Sequence, residues 1–200
     1  MTGTVWFTAD LHVGHRFVAG LRGHSDTNDH DSLLASHWDR MVQPDDQVWV
    51  LGDISVSGSR AQRAALEWIA DRPGTKHLVS GNHDDCAPMH RNAHKWLRSY
   101  LEAFESVAPA ARRRYGGQEF LLSHYPYKGD HTEVQRYDQW RLPDHGLPIL
   151  HGHTHSGGRV SYSTKGTLQL HVGVDAWGMR PVSIHQVHQL MTEKLKENDK

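Results

Sequence analysis

Apolar residues fall into short runs separated by polar loops, and the period of those runs changes midway along the chain. Residues 4–9 (TVWFTA), 47–51 (QVWVL) and 76–79 (KHLV) have the length and the β-branched or aromatic content of strands. Between and after them the period is helical. Leu33, Leu34, Trp38, Met41 and Val42 predict a helix over about 28–42, and Ala61, Ala64, Ala65, Trp68 and Ile69 predict a second, stopped by Pro73-Gly74. Leu97, Tyr100, Leu101 and Phe104 form a third stripe. Beyond residue 110 the pattern turns to hairpins. Residues 112–115 and 119–122 flank Gly116-Gly117, 147–150 is a short strand, and 157–173 is a second hairpin turning near Thr164–Gly166. Ser183-x-x-Gln186 has capping-box form and opens a last helix whose apolar face is Ile184, Val187, Met191 and Leu195. The order βαβαβα followed by hairpins predicts one α/β domain over 1–200 with a partly antiparallel second half. The gap 123–145 is long for a plain connector and is a candidate lid.

Composition narrows the function classes. The 200 residues are 37% hydrophobic, with seven tryptophans, enough for one core. A net charge of -1 argues against a protein built to coat nucleic acid, but leaves open a phosphate-bearing substrate held by metals. Cys86 is the single cysteine, which rules out an internal disulfide framework and suits a reducing compartment. No apolar run approaches the ~20 residues of a membrane span and no signal-peptide pattern precedes the first motif, so a soluble, cytoplasmic protein is expected. Eighteen histidines are unusual. His30, His90, His94, His185 and His188 are read as surface composition; the others are judged by position.

Position is informative. Three strands of the first half each end in a loop that opens with metal-ligand types: Asp10-Leu11-His12, Gly52-Asp53 and Gly81-Asn82-His83-Asp84. Ligands of open α/β sheets bind beyond the carboxyl ends of strands, so separate loops can serve one crevice. Two apolar strands of the second half do the same, in Leu122-Ser123-His124 and Leu150-His151-Gly152-His153-Thr154-His155. Residues two apart on an extended segment point to one side, which pairs His153 with His155. Taken singly the motifs are weak: Asp10-Leu11-His12 reads equally as a turn or a cap and Gly52-Asp53 more readily as a turn, while Gly81-Asn82-His83-Asp84 is rarer and reads less readily as a plain loop. None stands as coincidence when all five occur in order.

With these motifs the chain closely resembles the calcineurin-like metallophosphoesterase family, whose ordered pattern is Asp-x-His, Gly-Asp, Gly-Asn-His-Asp/Glu, a lone His, and Gly-His-x-His. The likeness runs from Phe7 to about Val182 and is nearest to the small single-domain members, with Gly14-His15, the Val172–Trp177 segment and Arg180-Pro181-Val182. Phe17 departs from the asparagine often found there. The resemblance implies a four-layer α/β/β/α sandwich with two mixed β-sheets. It also implies a first metal on Asp10, His12 and His155, a second on Asn82, His124 and His153, and Asp53 bridging them. One carboxylate between two cations ~3.5–4 Å apart offsets their repulsion, and the pair can share a hydroxide nucleophile. The donors are N and O only, which suits two divalent transition-metal ions, Mn²⁺ first, with Fe, Zn or Ni as alternatives. His83 is the candidate general acid, and Asp84 either orients its imidazole or is an ordinary helix-start carboxylate.

Further candidates are His15 and Arg16 for substrate phosphate, and His151, His171 and Asp175 near the site or in structural roles. In the long loop Tyr125, Tyr127, Lys128, Arg136, Tyr137, Trp140 and Arg141 either bind a nucleotide or pack the loop down. The implied activity is that of a metal-dependent phosphoesterase, first a phosphodiesterase. A phosphomonoesterase or nuclease on the same site, or a non-catalytic metal-binding scaffold, are the alternatives. Expected partners are a small phosphate ester or nucleotide, with nucleic acid not indicated by charge and no membrane. The sequence leaves substrate, metal and oligomeric state open.

Overall fold

The structure, a computed structural model, describes residues 3–198. Two five-stranded sheets form its centre. In the first, β1 (Val5–Thr8), β2 (Gln47–Val50), β3 (Thr75–Val79) and β4 (Ser106–Ala108) run parallel, with Phe7 beside Trp49 and Trp49 beside His77. β10 (Val182–Ser183) closes its edge antiparallel to β1. The second sheet contains β5 (Ala111–Tyr115), β6 (Gln118–Leu122), β7 (Ile149–His151), β8 (Val160–Tyr162) and β9 (Leu168–His171) in the order β5-β6-β7-β9-β8. Its middle is parallel and its edges are antiparallel hairpins.

Strand alternation sends successive side chains to opposite faces, and both faces of the first sheet are buried. Val48, Val50 and Leu78 meet α2 (Thr27–Met41), α3 (Ser59–Ala70) and α4 (Ala93–Ala103) through Leu34, Trp38, Leu66, Ile69, Tyr100 and Phe104. Phe7, Leu51 and Val79 face the other way, onto Phe120, Leu122, Leu150, Leu168 and Leu170 of the second sheet. α5 (Ile184–Asn198) joins that second core through Ile184, Val187 and Met191, against β9, β10 and β1. The result is the expected α/β/β/α sandwich with two mixed sheets. Among the described residues no helix is long and apolar enough to cross a membrane.

Local signals hold in detail at the helix starts. Asp26 caps α2 by accepting from the Asp29 amide at 2.9 Å. Ser183 and Gln186 form the reciprocal capping box, Ser183 N–H to Gln186 Oε1 at 3.1 Å and Gln186 N–H to Ser183 Oγ at 3.3 Å.

Two helical faces differ from their predicted stripes. On α3 the buried residues are Gln62, Ala65, Leu66 and Ile69, while Ala64 is exposed. On α4 Leu97 and Leu101 are 41% and 48% exposed, although Tyr100 and Phe104 are buried. Between the two helices the Tyr100 hydroxyl donates to Gln62 Oε1, a polar contact that apolar spacing does not mark. The helix α1 (Arg16–Leu21) was not foreseen, because six residues carry too little periodicity. The strands β4 and β10 fall below the same limit.

The segment 123–148 has no regular structure beyond a 3₁₀ turn at Asp138–Trp140, yet it is packed. Gln169 of β9 accepts from the Lys128 amide at 2.9 Å and donates to its carbonyl at 3.0 Å. Tyr127 Oη donates to Leu147 O at 2.8 Å, and Arg141 donates to Pro126 O at 2.7 Å. Tyr127 and Arg141 therefore pin the loop, whereas Trp140 stays partly exposed.

Trp38 fills the centre of the helix-side core, and its indole N–H donates to Pro73 O at 3.0 Å. Trp38→Ala is expected to cost ~3–5 kcal/mol, the range for large aromatic truncations. Urea unfolding followed by circular dichroism checks this; a midpoint within error of the parent protein contradicts the core assignment.

Candidate metal centre

Five loops meet at the end of the sandwich where the two sheets touch. A parallel bridge from Ala9 to Gly173 joins the sheets just before the first motif. The first two motifs zip together through Asp10 N–H to Gly52 O (3.0 Å), His12 N–H to Asp53 O (3.1 Å) and Val13 N–H to Ile54 O (2.9 Å). The Gly152 amide donates to His124 O at 3.0 Å, and the His153 amide to Asp10 Oδ1 at 3.0 Å. Among the described residues seven non-glycines have positive φ, and five are Asp10 (58°), His12 (50°), Asp53 (57°), His153 (68°) and His155 (50°). Left-handed backbone is disfavoured for residues with a Cβ, and it persists where function holds it. Here it turns consecutive ligand-type side chains into one pocket.

Their donor atoms converge. His12 Nε2 lies 3.2 Å from His155 Nε2 and 3.8 Å from Asp53 Oδ2. His124 Nε2 lies 3.5 Å from Asp53 Oδ2 and 3.1 Å from Asn82 Oδ1. The His153 ring stands against His124 with centroids 5.1 Å apart. Asp10 groups with His12 and His155 on one side and with Asp53 and His124 on the other. All seven residues expected to bind metal are thus neighbours.

The donor set fits divalent cations. Two N or O ligands ~2.1 Å from one ion are about 3.0–3.4 Å apart in octahedral or tetrahedral geometry. The His12–His155 and His124–Asn82 separations of 3.2 and 3.1 Å match that spacing. Asp10 Oδ2 is buried with no hydrogen-bond partner. Burial, with Asp84 and Asp10 close by, raises the Asp53 carboxyl well above the usual carboxylate range. Burial likewise holds His12 well below the usual imidazole range, reinforced by His155. Crowded carboxylates and buried imidazoles that favour their neutral form suit a cation; His155 is the exception, where against the pull of burial the bond to Asp175 raises it.

The outer nitrogens of these rings are engaged as well. His124 Nδ1 donates to Leu51 O at 2.8 Å, which frees Nε2 for the pocket. His155 Nδ1 meets Asp175 Oδ2 at 3.0 Å. Asp175 in turn takes two bonds from Arg22, both 2.8 Å, and Arg22 Nη2 donates to Asp10 O at 2.7 Å. Arg22 thereby ties the first motif to His155, a role absent from the sequence reading because it links residues 153 apart in the chain. His30 belongs to the same network, buried with Nε2 3.0 Å from Arg22, so it is not the surface residue expected. His90 also departs from that reading, with Nε2 2.9 Å from Asn82 O. His94 and His185 are exposed, as expected.

His83 is half-buried beside the pocket, its ring 5.4 Å from that of His12, and its amide donates to Asp53 Oδ1 at 2.9 Å. Burial, with His124, His15, His155 and His131 nearby, pushes it down to about 4. Asp84 makes no contact with the His83 imidazole. Its carboxylate is fully buried and accepts from the amides of Asp53 (3.0 Å), Ile54 (3.0 Å) and Gly81 (2.7 Å). Asp84 is thus a brace between the second and third motif loops rather than a partner of the ring. Gln62 adds to the brace by donating to His83 O at 2.9 Å.

A cleft of about 460 Å³ opens beside the pocket, lined by His12, His15, His83, His131, His155 and the exposed Phe17 and Leu21. His15 faces His12, with Nδ1 atoms 3.3 Å apart, and Arg16 is exposed on α1. His151 and His171 are buried side by side, 5.3 Å between centroids, with His171 Nε2 3.5 Å from Asp10 Oδ2. The long loop contributes Asp130 and His131 next to His153, neither of which any local motif marked.

The profile of the calcineurin-like phosphoesterase family matches residues 3–157. Gene 66 protein of Mycobacterium phage L5 is 47% identical over 194 residues, covering 93% of this chain and 93% of that protein. Gene 66 protein of Mycobacterium phage D29 is 51% identical over 179 residues, covering 86% and 88%. Among solved structures, a protein of unknown function from Aquifex aeolicus superposes with a TM-score of 0.68 at 21% identity, over 94% of this chain and 99% of that one. That last likeness is one of fold.

The motif glycines give a direct test of the packing. A Cβ on Gly81 would strike the Asp53 carboxylate and the His124 ring, whereas on Gly20 of α1 it would meet open space. Gly81→Ala is expected to lower the melting temperature and bound metal together. Gly20→Ala is expected to be neutral or stabilising by ~0.5–1 kcal/mol. Differential scanning fluorimetry with metal analysis checks both; a neutral Gly81→Ala contradicts the close approach.

Proposed function

The chain belongs to the calcineurin-like phosphoesterase family, and from that premise we propose that it is a single-domain, dinuclear metal-dependent phosphodiesterase. The observation that carries this reading is the convergence of His12, His155, Asn82 and His124 donors on the buried Asp53 carboxylate, next to an open cleft. Asp10, His12 and His155 hold one cation, Asn82, His124 and His153 hold the other, and Asp53 serves both. Mn²⁺ is the first choice, ahead of Fe, Zn or Ni, for these N and O donors. When bound, two such cations supply Lewis acidity toward phosphoryl oxygens and acidify water into a nucleophile at neutral pH.

The residues around the pocket supply the rest. Asp84 and Gln62 keep the third motif loop in place, which sets where the His83 imidazole stands. His83 is the general acid for the departing oxygen. Burial lowers its proton affinity in the free protein, and an anionic phosphate alongside would raise it. A diester is favoured over a monoester because, outside the two cations, the cleft offers no uncompensated arginine or lysine for a second phosphate charge. Arg22 is the one arginine or lysine among the cleft-lining residues, and Asp175 already neutralises it. The exposed Phe17 and Leu21 at the rim leave an apolar surface for the organic part of the ester.

Metal dependence is tested first. The purified protein is expected to carry up to two transition-metal ions, and chelation is expected to abolish turnover and lower the melting temperature. Adding Mn²⁺ back should raise it, since a ligand at 100 times its Kd stabilises by about 2.7 kcal/mol. Asp53→Asn should lose both ions. Metal analysis and melting curves decide; a stripped protein whose melting is unmoved by Mn²⁺ overturns the assignment.

Acid catalysis is tested by leaving group. An alkyl or ribose oxygen needs a proton as its bond breaks, while a nitrophenolate needs far less. His83→Ala is expected to lose ~10²–10⁴-fold on an alkyl or nucleotide diester and much less on a nitrophenyl ester. Metal content should hold. Equal losses on both esters contradict the acid role, and loss of metal with them makes His83 a ligand.

A further inference from the structure

Beyond His124 at its start, the segment 123–148 meets the metal centre around His153, where Tyr125, Asp130, His131 and Tyr137 stand near the ring. Asp130 Oδ2 lies 3.1 Å from His153 Nε2, and both side chains are 1% exposed. Arginines hold the carboxylate: Arg136 donates to Oδ2 by its amide (3.0 Å) and to Oδ1 by its guanidinium (2.8 Å), and Arg141 donates to Oδ2 by its guanidinium (3.3 Å). Arg141 is itself buried and fixed to Pro126 O and Arg136 O. Two guanidiniums and a backbone amide thus face this one carboxylate.

We propose that Asp130 is a positioning residue, through which the 123–148 loop holds His153 in its metal-binding state. A carboxylate that takes hydrogen bonds from two guanidiniums is an acceptor, so the nitrogen facing it carries the proton. Nε2 of His153 is therefore the N–H, and Nδ1 keeps the lone pair. His155 and His124 have the opposite arrangement, with Nδ1 engaged by Asp175 and by Leu51 O and with Nε2 left for the pocket. Asp175 sits on a 3₁₀ turn and Leu51 follows a central strand, so those two acceptors belong to the sandwich. Asp130 belongs to the loop. Its removal leaves the His153 tautomer unset and the ring free to turn, and outer partners of this kind change metal affinity by ~10–100-fold. Loop closure and occupancy of the His124–His153 position are thereby linked.

This inference rests on the proposed metal assignment, so the experiment separates the two. In metal-free protein, long-range ¹H–¹⁵N spectra of the histidine rings should report the Nε2–H tautomer for His153, and Asp130→Ala should shift it toward a mixture. In Mn²⁺ titration by calorimetry, Asp130→Ala should weaken the second ion at least 10-fold and leave the first within twofold. Asp130→Asn, which keeps an acceptor without the charge, should fall between. Tyr127→Phe cuts the loop's bond to Leu147 O and leaves Asp130 alone, so it controls for packing. It should lower the melting temperature without moving tautomer or affinity. An unchanged tautomer in Asp130→Ala, or an equal loss in Tyr127→Phe, overturns the proposal. His124→Ala tests the underlying reading separately: if it retains two ions, the metal assignment fails, while the tautomer measurement still judges Asp130.

Discussion

The rest of the structure depends on burying the Asp53 carboxylate where two sheets meet. Its Oδ1 takes the His83 amide, and its Oδ2 faces His12 and His124. To bring it there, the chain accepts left-handed backbone at Asp53, removes every side-chain atom at Gly52 and Gly81, and spends a second buried carboxylate, Asp84, on bracing the loop. Asp10 stands nearby as a third. Buried like charges oppose folding unless something positive joins them. The arrangement therefore makes sense as one half of an interaction, with cations as the other half, and binding the folded chain alone is what would return the stability.

How much of this was legible follows from the range of each contact. Motifs written in consecutive residues, such as Asp10-Leu11-His12 or Gly152-His153-Thr154-His155, announce themselves because strand ends and loop starts are local. Long elements were legible for the same reason, and α2 and the capping box of α5 follow their signals closely. Short elements were not: α1, β4 and β10 owe their conformation to the neighbours they pair with. Residues that act across the fold were not legible either. Arg22 looked like one arginine among many until Asp175 came to meet it. Gln62 lies outside the predicted apolar stripe of α3, yet its amide is taken by Tyr100 and by His83 O. Asp84 was visible as part of a motif, but its direction was not. Sequence spacing gives the identity of a carboxylate, whereas only the packed loops reveal that three backbone amides exhaust it.

The two halves of the centre are supported by different parts of the molecule. His155 and Asp10 share one brace, the Arg22–Asp175 pair, which is buried and joins α1 to the turn after β9. That support is as rigid as the sandwich. His124 leans on the main chain of Leu51, which is rigid too. His153 alone has its ring nitrogen engaged by an irregular segment, through Asp130. Local stability varies across a fold, and irregular segments lie at its lower end. The centre thus combines two imidazoles held by the sandwich, His124 and His155, with one, His153, that depends on a loop, and that loop also carries His131 into the cleft. A segment in contact with both the ligand field and the substrate space can sense either. That is a sufficient physical reason for more than twenty irregular residues to be pinned by Gln169, Tyr127 and Arg141 rather than shortened to a turn.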